Sequence, residues 1–209
     1  MMKALVFGHS QSGGMGLDMV AALKALGFDV KRKTHNGAND KALLADLPEL
    51  GDPAQYDRVF LYAGGNSDDP TVDQIKALVN HFGAAKTVVI LPPVNTGRDP
   101  AKVAAQRAKN KGNYDGLLGF VPVYSIEADY ADFTSNTDHV HLRAGSKPSK
   151  DLVATVLGDL GLASGGAIVP STSSTTKAVL IVGGAVLIAV LLALVTRSRR
   201  SRPRARSRD

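Results

Sequence analysis

KALVFGHSQSGGMG, residues 3–16, is the stretch from which the fold can be read. Residues 4–7 (ALVF) form a short apolar run of the kind that makes a buried strand. Gly8-His9-Ser10 then turns the chain, and the glycines at 13, 14 and 16 lead into a helical pattern. A serine at the carboxyl end of the first strand of an α/β chain lies where such sheets hold their ligands. Gly and Ser are also ordinary turn residues, so this stretch alone does not separate a catalytic serine from a structural turn.

Outward from that turn, strand and helix patterns alternate. Residues 17–26 carry Leu17, Val20, Ala21, Leu23, Ala25 and Leu26 at helical spacing and stop at Gly27. Residues 28–33 read as a strand, 40–47 as a short helix ended by Pro48, and 58–62 (RVFLY) as a strand buried on both faces. Residues 71–82 form an amphipathic helix with Val72, Ile75, Leu78, Val79 and Phe82 on one side. Residues 86–91 (KTVVIL) make the next buried strand, 100–111 a basic Ala-rich helix, 117–124 a strand interrupted at Pro122, and 148–160 the last helix, with proline in its first turn. This alternation predicts βαβ units and a mostly parallel sheet. The expected fold class is α/β, a three-layer αβα domain of flavodoxin-like type with about five strands, over residues 1–162.

Composition bounds the rest. The chain has 209 residues, of which 44% are hydrophobic, and no cysteine, which excludes disulfides and thiolate metal sites. The formal net charge of +6 resides entirely in residues 197–209, which hold seven arginines and one aspartate. The preceding residues are neutral overall, so a basic nucleic-acid surface on the folded domain is not indicated. The short apolar run near Met1 is too brief for the core of a secretion signal and reads as a strand. Residues 163–177 (ASGGAIVPSTSSTTK) read as a flexible linker. Residues 178–195 contain no charge, and with Thr196 they form a segment, 178–196, long enough to cross a bilayer as a helix. Gly183-Gly184 permits close helix packing but is not a GxxxG pair, so no oligomeric state follows.

The location implied is a membrane, with a single C-terminal anchor. Seven arginines after the apolar segment favour a cytoplasmic tail, yet no export signal accounts for the domain on the far side. A phage or virion setting would remove that conflict, and the tail would then meet packaged nucleic acid or anionic lipid. A topology signal with no partner of its own is the simpler role for the tail.

The chemistry-bearing loops all fall at predicted strand ends. They are Gly8-His9-Ser10, Asn36-Gly37, Gly64-Gly65-Asn66 and Asp138-His139-Val140-His141. Acyl transfer needs a nucleophilic oxygen, a base, a group that orients the base, and donors for the oxyanion. Ser10 supplies the hydroxyl, His141 can take its proton, and Asp138, three residues earlier, can fix the imidazole. The backbone N–H groups of Ser10 and Gly37 and the Asn66 amide can face the oxyanion, with glycine at 37 and 64 letting backbone approach substrate. His139 lies beside His141, and His35 and His81 read as a loop end and a helix end. No spacing gathers three metal ligands, and neither a metal nor another cofactor is expected.

These blocks resemble the SGNH hydrolases, the GDSL-type esterase and lipase superfamily, in order and spacing over about 140 residues. Gly8-His9-Ser10 stands at that family's Gly-Asp-Ser, Gly37 at its second block, Gly64-Gly65-Asn66 at Gly-x-Asn, and Asp138-x-x-His141 at Asp-x-x-His. The resemblance implies a Ser10-His141-Asp138 triad and an oxyanion hole from Ser10, Gly37 and Asn66. It also implies a small-molecule or carbohydrate ester substrate, with O-acetyl groups of envelope sugars as the class suggested by analogy. His9 departs from the family aspartate, a residue that serves turn geometry; here it reads as a partly exposed turn residue. Two other readings remain at this stage. One is a catalytically silent SGNH-like structural or binding module of a virion or envelope complex; the other is a flavodoxin-like nucleotide binder. Residues 8–12 also approach the Gly-x-Ser-x-Gly elbow, but Ser12 replaces its last glycine and only one strand precedes it. The glycines do not give a dinucleotide fingerprint, and no acid ends the second strand.

Overall fold

The computed structural model describes residues 1–133 and 141–162. The predicted linker, membrane segment and Arg-rich tail (163–209) and residues 134–140, Asp138 among them, lie outside the described residues. The elements follow in the order β1 (Lys3–His9), α1 (Gly16–Ala25), β2 (Asp29–His35), α2 (Asp40–Ala45), α3 (Leu47–Leu50), β3 (Arg58–Tyr62), α4 (Val72–Phe82), β4 (Thr87–Ile90), β5 (Val94–Asn95), α5 (Pro100–Leu117), β6 (Val123–Tyr124), β7 (Glu127–Ala128) and α6 (Lys147–Asp159). Five strands form one sheet in the order β2-β1-β3-β4-β6. Every pairing in it is parallel, with Leu5 opposite Lys31 and Val59, and Phe60 opposite Val88.

The period-two alternation of the central strands builds the two outer layers. Ala4, Val6, Phe60, Tyr62, Val88 and Ile90 point to one face, where α1 and α6 bring Met19, Leu23, Val153 and Val156. Leu5, Phe7, Val59, Leu61 and Val89 point to the other, covered by Leu43 of α2, Ile75, Leu78 and Val79 of α4, and Leu117 of α5. A strand covered on both sides has no polar face, which is why RVFLY shows no alternation of polarity. The predicted αβα domain is thus observed over the described residues. Among them no helix is long and apolar enough to cross a membrane.

Three boundaries differ from those predicted. The strand expected over 117–124 is reduced to Val123–Tyr124, because α5 runs on to Leu117. Gly112 and Gly116 lie within α5 as packing positions. A Cβ on Gly112 would lie 2.5 Å from Pro70, and one on Gly116 would lie 2.5 Å from Val72. Pro48 does not simply end a helix; it sits in the first turn of α3, after α2 has stopped at Ala45. A small parallel ribbon, β5 with β7, was not foreseen, since two-residue strands leave no periodicity to read.

Candidate active site

β1 and β3 are neighbours in the parallel sheet, and the chain leaves β1 toward β2 but leaves β3 toward β4, so the connections at their carboxyl ends diverge between them. That divergence is the topological switch point where open α/β sheets bind ligands. The chain leaves β1 through a 3-10 turn, Ser10–Ser12. His9 caps the turn, its Nδ1 accepting from the Gln11 N–H at 3.4 Å. Ser12, fully buried, belongs to the scaffold: its hydroxyl lies 2.9 Å from the His9 carbonyl oxygen and 2.9 Å from Thr34 Oγ1 on β2. Ser10 is half-buried at the mouth of the turn, and its Oγ lies 2.6 Å from His141 Nε2. The two residues are 131 positions apart in sequence. That distance is within hydrogen-bond reach for a nucleophile and its base.

The segment that follows His141 is fastened to the rest of the fold at several points. Gln11 Oε1 accepts from the Leu142 N–H at 3.3 Å, and Arg143 N donates to the Asp132 carbonyl at 2.9 Å. Asp18 on α1 accepts from Gly145 N at 2.7 Å and from the Ser149 hydroxyl at the start of α6. Gln11 and Asp18 therefore support the pairing of Ser10 with His141, and neither was recognised in the sequence. Asp138, the predicted partner of the imidazole, and His139 lie outside the described residues.

The predicted oxyanion donors gather at the same edge. Gly37 is exposed, takes φ +74°, and has nothing within 4 Å of a Cβ placed on it, so its backbone borders open space. Asn66 is exposed and is the only non-glycine residue with positive φ, +52°, among the described residues. Its Nδ2 donates to the Ala38 carbonyl at 2.7 Å, which ties it to the Gly37 loop and leaves the second amide proton of the side chain for another acceptor. Gly64 serves a different purpose from the one predicted. A Cβ there would meet Asn113 Nδ2 at 2.8 Å and Leu91 at 3.1 Å, so glycine is required by the interior rather than by substrate.

His9 also departs from expectation: it is 2% exposed. The Gly64-Gly65 backbone covers it, and a Cβ on Gly65 would lie 2.7 Å from His9 Nε2. Burial pushes the imidazole down to about 4, opposed by the Ala63 carbonyl and reinforced by Lys109 and His141. The ring is therefore neutral near pH 7. Nδ1 accepts from Gln11, which assigns the proton to the buried Nε2. Because the folded value lies below the unfolded 6.5, the stability linked to His9 is complete above about pH 6.5 and is lost as pH falls toward about 4. The full loss is about 3 kcal/mol. Asp40, raised by burial, titrates in the opposite sense. The contribution of His9 is thus the difference in urea midpoint between the wild type and His9→Gln, expected to be largest at pH 7 and to shrink toward pH 4.5.

The other described histidines are used elsewhere. His35 Nδ1 pairs with Asp46 Oδ2 at 2.7 Å, and His81, at the end of α4, packs edge-on against Phe82. Among the described residues no group of three or more His, Asp or Glu side chains could hold a metal ion.

No family profile matches this sequence, and no curated protein matches it. Solved structures do. An acetyl-xylooligosaccharide esterase of Geobacillus stearothermophilus superposes with a TM-score of 0.59 at 15% identity, covering 77% of this chain and 94% of that one. The lipase/acylhydrolase of Enterococcus faecalis gives 0.54 at 16% identity, covering 77% of this chain and 95% of that one. The family 3 carbohydrate esterase of Clostridium thermocellum gives 0.52 at 14% identity, covering 75% and 94%. The described domain has the fold of the SGNH hydrolases. In the Geobacillus esterase, variants lacking an aspartate and a histidine three positions apart are both described as catalytic mutants.

Proposed function

We propose that this chain is a serine ester hydrolase of SGNH type that cleaves small acyl esters through an acyl-enzyme. The observation that carries the reading is the 2.6 Å approach of Ser10 Oγ to His141 Nε2 at the switch point of the sheet. Ser10 Oγ attacks the ester carbonyl while His141 Nε2 takes its proton. The Oγ–C bond forms, and negative charge collects on the carbonyl oxygen, facing the Ser10 and Gly37 N–H groups and the Asn66 amide. Collapse breaks the bond to the alcohol, which leaves with the proton from His141. Water, deprotonated by the same imidazole, attacks the acyl carbon; the C–Oγ bond breaks, Ser10 Oγ takes the proton back from His141, and the acid leaves. Asp138 is assigned the task of holding the imidazole in the tautomer this cycle needs; the Asp-x-x-His spacing supports that role.

Acetyl groups on carbohydrate are the favoured substrates, on the analogy of the Geobacillus and Clostridium esterases. Residues 1–162 are the catalytic domain in this reading, joined by the linker 163–177 to a membrane helix at 178–196 and the basic tail 197–209. Arginines that resist translocation at about 2.5–3.5 kcal/mol each at a helix centre favour a cytoplasmic tail.

The test uses the full chain. It is expected to hydrolyse an aryl acetate and to react with a fluorophosphonate, with the adduct located on the peptide containing Ser10. A second reading, a catalytically silent module on the same fold, is favoured by His9 in place of the family aspartate. It predicts no adduct and no turnover above buffer.

A further inference from the structure

Asp40 is fully buried, yet no basic side chain is in contact with it among the described residues. A carboxylate is costly to bury without a close counter-charge, and it persists where hydrogen bonds satisfy it. Here both oxygens lie 3.0 Å from the Gly64 N–H, and Oδ2 accepts from the Thr71 hydroxyl. Asp40 begins α2, directly after the loop that carries Gly37, while Gly64 and Thr71 bracket the loop that carries Asn66. The second loop is held at further points. Asn66 Nδ2 reaches the Ala38 carbonyl, Lys109 Nζ donates to the Ser67 carbonyl at 2.8 Å, and Thr71 N donates to Asn113 Oδ1 at 2.7 Å. Lys109, half-buried, also contributes positive field at Asp40.

We propose that Asp40 is a positioning residue, whose carboxylate locks the 64–71 loop to the 37–40 loop and so fixes the separation of the Gly37 and Asn66 oxyanion donors. This rests on the serine-hydrolase reading above and adds to it a residue that touches neither substrate nor nucleophile. Donors aimed at a developing oxyanion act in proportion to their preorganisation, so a loosened loop loses rate more than it loses ground-state binding. A purely structural role would instead lower the folded fraction and leave the remaining molecules fully active.

The experiment compares full-length wild type, Asp40→Asn and Thr71→Val in two measurements. In steady-state hydrolysis of an aryl acetate, Asp40→Asn is expected to lower kcat by about 10- to 100-fold with KM within about two-fold, and Thr71→Val to act in the same direction by a smaller factor. In amide NMR, the Asn66 side-chain resonances are expected to shift in both variants, although the Asn66 amide hydrogen-bonds the Ala38 carbonyl and neither substituted side chain. Unchanged kcat per folded molecule in both variants overturns the proposal, and so do unmoved Asn66 resonances. If wild type itself shows no turnover that depends on Ser10, the hydrolase reading fails, and the NMR measurement alone decides whether Asp40 positions Asn66. Thr71→Val keeps the test decisive should Asp40→Asn fail to fold.

Discussion

Ser10→Ala is expected to lower the turnover of an aryl acetate by about 1,000-fold or more while leaving the thermal midpoint of the domain almost unchanged. The side chain loses one oxygen at a half-buried position, so little packing is lost with it. What disappears is the atom 2.6 Å from His141 Nε2 and, with it, the covalent route. His141→Ala is expected to cost a similar factor, since an unassisted hydroxyl is a poor nucleophile near neutral pH. Combining the two should cost scarcely more than either alone, because the residues act as one unit. Stopped assays on the three variants, with fluorophosphonate labelling of each, check this. Equal rates for wild type and Ser10→Ala would place the activity elsewhere and end the serine-hydrolase reading. A double variant much slower than both singles would mean that Ser10 and His141 act independently, against the shared hydrogen bond.

What could be read from the sequence divides along a physical line. The sheet was legible because its central strands are buried on both faces, so RVFLY and TVVI stand out as unbroken apolar runs between Gly- and Pro-rich turns. The Ser10 turn, the Gly37 loop and the Gly64-Gly65-Asn66 loop were legible because parallel strands deliver their carboxyl ends to one edge. Residues that work through distant backbone were not legible. Asp40 bonds the N–H of a residue 24 positions away, Asp18 one 127 positions away, and Gln11 one 131 positions away. Nothing local marks an aspartate at a helix start as anything but a capping residue. His9 was misread for a related reason. A histidine in a Gly-Ser turn suggests exposure, and only the later Gly65, whose missing side chain makes room for the ring, hints that another loop closes over it.

Gly8→Ala is expected to be the most destabilising single substitution in the turn, at about 4 kcal/mol or more, and to leave much of the chain unfolded at 37 °C. Gly8 lies inside β1, paired with Thr34 on β2 and Tyr62 on β3, and takes φ +150°. A Cβ there would sit 2.1 Å from the Tyr62 carbonyl oxygen and 2.7 Å from Tyr62 Cβ. The obstructing atom is backbone in the neighbouring central strand, so no side-chain rotation relieves it. Relief requires β1 and β3 to separate, which opens the packing of Phe7, Phe60, Leu61 and Tyr62, all fully buried. Gly37→Ala is the control: φ is again positive, at +74°, but nothing lies within 4 Å of the added atom, leaving a conformational cost of about 1–2 kcal/mol. Urea unfolding of both variants beside wild type checks the ordering. Equal midpoints for the two would show that β1 and β3 can move apart cheaply. The hydrogen bond between Ser10, two residues beyond Gly8, and His141 would then owe its geometry to the Gln11 and Asp18 contacts rather than to the close approach of the central strands.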